Sequence, residues 1–147
     1  MRPILRFAVA LMSLPMLAAC YKPQPPVGRW QGAYEDGGLI IVARLQIDSA
    51  GDVRVSAPNA ITDAAPSDEI ERTALRAKLK NGLAASWPHV GPLPLEFDGH
   101  AFHKPGGVAP QLEWNASAKR MTLVFYSGNR PSIRVTLDPV QEFSEDS

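Results

Sequence analysis

The sequence predicts a mainly β protein: a small antiparallel barrel or sandwich of seven to eight short strands, with one α-helix between the third and fourth. Three observations predict it. Apolar residues alternate with a period of two through Leu39–Ile47, so that Leu39, Ile41, Ala43, Leu45 and Ile47 share a face. Short apolar runs recur at roughly 8–12-residue spacing between turn-forming Gly, Pro, Asp and Asn. One segment alone, 67–81, carries helix signals at both ends. So many strands in one small domain favour closure, because closure removes exposed edges.

In chain order, GRWQGAYE begins at Gly28 and places Trp30, Gly32 and Tyr34 on one face. Asp36-Gly37-Gly38 is a hairpin signal that leads into Leu39–Ile47. DSAGD, 48–52, turns the chain into a third strand, VRVSA, so 27–57 reads as a three-strand meander. The helix follows. Ser67 offers an N-cap, Asp68, Glu69 and Glu71 place acids in the first turn, and Arg76, Lys78 and Lys80 place bases in the last. Gly82 stands at the C′ position. Ile70, Ala74 and Ala77, flanked by Leu75 and Leu79, form its apolar stripe. This helix is expected to cover an open barrel end or the gap between two meanders.

SWPHVGPLPLEF, 86–97, breaks regular structure with Pro88, Gly91, Pro92 and Pro94 yet carries Trp87, Val90, Leu93 and Leu95. It either closes the barrel or forms an exposed docking strip, since grouped apolar residues on a surface mark partner sites. The remaining strands are Pro94–Phe97, His100–Lys104, Gln111–Trp114, Met121–Ser127 and Ile133–Val140. Asp98-Gly99, PGGVAP, NASAKR and GNRPS separate them.

The N-terminus has its own logic. Arg2 and Arg6 precede an apolar run, Phe7–Leu17, and small residues Ala18 and Ala19 lead to Cys20. That order describes a secretory signal peptide over 1–19, shorter than a membrane-spanning helix. Leu17-Ala18-Ala19-Cys20 resembles the lipobox of bacterial lipoproteins. The resemblance implies cleavage before Cys20, diacylglycerol on its thiol and a further acyl chain, of the palmitate kind, on its amine. A lone cysteine in an exported chain otherwise lacks a partner. Two or three acyl chains anchor durably where one does not. Tyr21-Lys22-Pro23-Gln24-Pro25-Pro26 reads as an extended spacer, giving a lipidated spacer over 20–26, one domain over 27–143 and a frayed tail from 144. In enterobacterial lipoproteins an Asp after the cysteine favours inner-membrane retention. Tyr21 therefore points to the outer membrane and its periplasmic face, with the inner membrane as the alternative.

Removing Arg2 and Arg6 takes the 15 basic residues to 13 against 15 acidic ones, a formal charge of −2. That balance is no footprint for nucleic acid. With no disulfide available, the core must carry stability. Gly28-Arg29-Trp30 opening the first strand resembles the Gly-x-Trp start of lipocalins and related calycin barrels, in which the Trp packs across the barrel base. This resemblance spans three residues and implies a lipocalin-like architecture.

Candidate chemistry is sparse. Asp98, His100 and His103 are ligand types that suit zinc, but residues 100 and 103 of a strand point to opposite faces, so solvated histidines in a hairpin are the better reading. No Gly-x-Ser-x-Gly elbow is present, and no motif implies a cofactor. The aromatic residues either fill the barrel or line a small apolar pocket. The chain thus reads as a non-enzymatic, lipid-anchored interaction or structural module of the cell envelope. The first alternative is a lipocalin-like carrier of a small apolar ligand, and the second a metal-binding protein or hydrolase at His100 and His103. Trp30, Trp87, Val90, Leu93 and Leu95 are the candidate partner or ligand surface.

Overall fold

The computed structural model describes residues 21–63 and 68–144. The signal peptide, Cys20, Ser67 and the tail from 145 lie outside the described residues, and so do the expectations placed on them. Among the described residues nine strands form a single antiparallel sheet: β1 Gly28–Asp36, β2 Leu39–Ile47, β3 Val53–Ser56, β4 Asn59–Ile61, β5 Glu96–Phe97, β6 Ala101–His103, β7 Pro110–Asn115, β8 Arg120–Ser127 and β9 Arg130–Val140. Their spatial order is β3-β2-β1-β9-β8-β7-β6-β5, with β4 also on β2.

The turns follow the sequence chemistry. Gly37 and Gly38 both take positive φ, as the two-residue loop between Asp36 and Leu39 requires. Asp48 Oδ1 accepts from the backbone N–H of Ala50 and Asp52 and so organises the second turn. β4 is a strand beyond the expected seven or eight. Pro58 interrupts the edge after β3, which pairs with Arg44–Ile47 of β2. The chain then resumes pairing, as β4, with Leu39–Ile41.

The two meanders are joined by β9. It pairs with β8 through Leu137, then with β1 from Asp138 to Val140. The other two edges, β3 and β5, are not laddered together; the chain just before β5 meets β3 at one bridge, Leu93 to Val53. The sheet is therefore a curled half-barrel with a seam. Its inner face is filled by Trp30, Ile41, Leu45, Ile47, Phe102, Leu112, Met121 and Leu137, all buried. The filled interior thus prevails over a central pocket.

The helix, α1, spans Glu69–Ser86 and lies after β4, hence between the fourth and fifth strands. Asp68 is its N-cap and accepts from Glu71 N at 3.2 Å. Gly82 is internal, because the next residue, Leu83, is buried and rewards one further turn. Nor does α1 cover an end or the seam. It packs mainly on the outer face of β2. The first half of β2 is apolar on both faces: Ile40 and Val42 are buried like the inward residues, and Arg44 follows them on the outer face. Val42, Leu83 and Trp87 form a second buried cluster outside the sheet.

Candidate functional site

The strip after α1 places the candidate residues differently from one another. Trp87 and Pro88 sit in a short 3-10 turn, Trp87–His89. Arg54, on the outer face of β3, fastens this turn: its Nε donates to Val90 O at 2.7 Å and its Nη2 to Trp87 O at 3.0 Å. The guanidinium also stands 5.3 Å from the Trp87 ring centre. Phe143 meets the opposite side of the cluster, edge-on to Trp87 at 5.0 Å. Trp87 is accordingly core and not surface, and Val90 packs against the same cluster.

Trp30 is likewise core, 3% exposed. Its Nε1–H donates to Lys119 O at 2.9 Å and its ring meets Trp114 edge-on. Lys119 holds the positive φ of the β7–β8 turn, so Trp30 clamps that turn to the start of β1.

Leu93 and Leu95 are what remain at the seam. Leu93 donates its N–H to Val53 O at 2.7 Å and is 43% exposed. Leu95 packs on the main core. Between them and β7–β8 opens a cleft of about 240 Å³. Its walls include Val55, Leu93, Leu95, Leu112 and Leu123, with Lys104 and Gln111 adding polar atoms. An apolar cavity of about 150 Å³ stays dry and takes up benzene, so this space accommodates a small apolar group. The alternation in VRVSA places Val55 inward, which is the signal for its role here; Leu112 and Leu123 carried no comparable signal, because they join the site only through strand order.

The metal candidates divide. His103 Nε2 and Asp98 Oδ2 lie 2.7 Å apart, while His100 is exposed and contributes its backbone. Asp98 Oδ1 accepts from the N–H of His100 and Ala101, both at 2.8 Å. These two backbone donors, followed by His103, hold the Asp98 carboxyl down at about 2. With Asp98 ionised, the shared hydrogen sits on His103 Nε2. His103 Nδ1 is buried without a partner among the described residues. The pair resembles two members of a proton-relay triad, yet no hydroxyl or thiol bonds to His103 among the described residues. Nor do three or more His, Cys, Asp or Glu side chains converge there as a metal set.

The spacer is seated, too. Pro25 lies beside Gly51 in the β2–β3 turn and Pro23 beside Gly99 in the β5–β6 turn. In this up-and-down order those turns share one end of the half-barrel, and the β6–β7 loop, which includes Lys104, belongs to the other. Among the described residues no helix is long and apolar enough to cross a membrane. Compared with protein-family models, with curated proteins and with solved structures, the chain matches none.

Proposed function

We propose that this chain is a lipid-anchored, non-enzymatic interaction module of the bacterial cell envelope. It is held at Cys20 on the periplasmic face of the outer membrane, and it grips a small apolar side chain of an envelope partner in the seam cleft. The observation that carries the reading is the cleft itself. It is apolar, it lies where the sheet's edges are not laddered, and its lining includes Lys104 and Pro105 of the β6–β7 loop, at the end away from the spacer. A chain anchored at residue 20 would present that end to the periplasm. The lipobox resemblance and the basic-apolar-small order of residues 1–20 support the anchor.

A second reading has the cleft's size in its favour: a carrier of a small apolar ligand, in keeping with the Gly-x-Trp resemblance. Photo-crosslinking in intact cells from benzoylphenylalanine at position 93 separates the two. The module predicts a protein adduct from position 93 and none from position 78, on the exposed side of α1. No adduct at position 93, together with a releasable apolar mass in a native mass spectrum of Tyr21–Ser147, would favour the carrier and sink the module.

A further inference from the structure

A second cavity, on the outer face and away from the seam, has different chemistry. It measures about 300 Å³ and lies among β1, β2, the end of β9, α1 and the C-terminal segment. Its floor contains Arg44 of β2, which is only 8% exposed. The register neighbours of Arg44 are Gln31 on β1 and Ser56 on β3, and neither carries charge. Its guanidinium stands 5.0 Å from the Phe143 ring centre.

No carboxylate pairs with Arg44 among the described residues. The acid on the cavity wall, Asp138, is held by Arg120 at 2.6 Å. Lys80 of α1 adds a second positive charge to the lining and is itself unpaired among the described residues. Gln31 and Ser144 bond to each other in both directions, and so fix the C-terminal segment as a wall.

A guanidinium keeps its charge whatever its surroundings. Burying it unpaired is unfavourable, and the Phe143 ring offsets that only in part, since a ring face satisfies none of the in-plane N–H donors. Those donors are not sealed in. Among the described residues the one buried side-chain nitrogen or oxygen without a partner is His103 Nδ1. The Arg44 nitrogens therefore keep some access to solvent, and Arg44 lines the cavity. A planar fork of donors at the base of a small cavity matches an oxyanion bidentately. The rest of the wall includes Val42, Leu83 and Val140, which suits an apolar body. Asp138 on the wall disfavours a doubly charged group.

We propose that this cavity binds a small monocarboxylate with a short apolar body. Arg44 takes the carboxylate, Lys80 adds charge, and Val42, Leu83 and Val140 cover the apolar part. The volume stands at the lower end of small-molecule sites, about 300–1,000 Å³.

Calorimetric titration of the full chain with hexanoate tests this, with hexanol as the uncharged control. Hexanoate is expected to bind at least about tenfold more tightly than hexanol. Arg44→Met should weaken hexanoate about 10- to 100-fold and leave hexanol unchanged, which also separates this site from the seam cleft. Arg44→Lys keeps the charge and loses the fork; it should weaken hexanoate as well, and it serves where Arg44→Met does not fold. Equal binding of the two probes, or hexanoate affinity untouched by either Arg44 variant, would overturn the proposal. So would hexanoate binding seen solely in a Glu145→Gln/Asp146→Asn variant, which would assign Arg44 to the chain's own acidic end.

Discussion

Gly32 shows how one missing side chain sets the curvature of the sheet. A Cβ there would stand 2.2 Å from Thr136 O and 3.1 Å from Leu137 Cδ2. The obstacle is backbone, and it belongs to β9 just before that strand leaves β8 for β1. The close approach is what lets β9 serve both meanders. Gly32→Ala must push β9 away and is expected to destabilise the chain by about 2–3 kcal/mol, read as a lower urea midpoint. Gly37 offers the contrast. Nothing lies within 4 Å of its would-be Cβ, but its φ of +56 is strained for alanine. Gly37→Ala should therefore cost less, about 1 kcal/mol. The alternation placed Gly32 correctly between Trp30 and Tyr34. Why it is glycine was not legible, because the atom that excludes a side chain lies more than 100 residues away.

At the scale of elements, α1 is tied to the sheet by more than its apolar stripe. Glu35 of β1 accepts from Arg72 Nε at 2.8 Å and from Arg76 Nη2 at 2.9 Å. These two bonds, Arg72 first, hold the Glu35 carboxyl below the usual glutamate range despite partial burial, which acts the other way. A folded-state value below the unfolded one adds stability that is fully present above the ordinary glutamate range, about 4.3, and is lost as pH falls through the lowered value. Glu35→Gln should thus cost about 1 kcal/mol at pH 7 and nearly nothing at pH 2, with high salt shrinking the difference. Urea midpoints of both proteins at the two pH values check this. By its sequence position Arg76 is expected in the helix's last turn, as a partner of the dipole. It is instead mid-helix, because α1 runs on to Ser86 in order to bury Leu83 and to deliver Trp87 to Val42. The helix's existence was legible in the local charges, and its start to within about a residue, with Asp68 and not Ser67 as the N-cap. Its end and its docking face were not, because both depend on Val42, an outward apolar residue of β2 that packs with Leu83 and Trp87.

Across the whole molecule, the strand order gives the half-barrel two unlike ends. The first strand begins, and the last strand finishes, at the end that carries the β2–β3, β5–β6 and β7–β8 turns. Trp30 locks that end through Lys119, and Pro23 and Pro25 lie against its turns. Pro23 and Pro25 of the extended spacer therefore lie on the domain's surface, and little chain separates Pro23 from residue 20. A short tether leaves little freedom of orientation. Anchored at Cys20, the molecule would stand with the Gly51 and Gly99 turns near the bilayer and the β6–β7 loop away from it. The seam cleft would then be offered to soluble or membrane-borne envelope partners and withheld from the acyl chains of its own leaflet. Single cysteines carrying a fluorophore read this directly in vesicles of lipids that bear a headgroup quencher. Ser49→Cys, in the β2–β3 turn, should be quenched strongly, and Val108→Cys, 90% exposed in the β6–β7 loop, weakly. Equal quenching at the two positions would mean that the domain tumbles on its tether, and the cleft would have no preferred side.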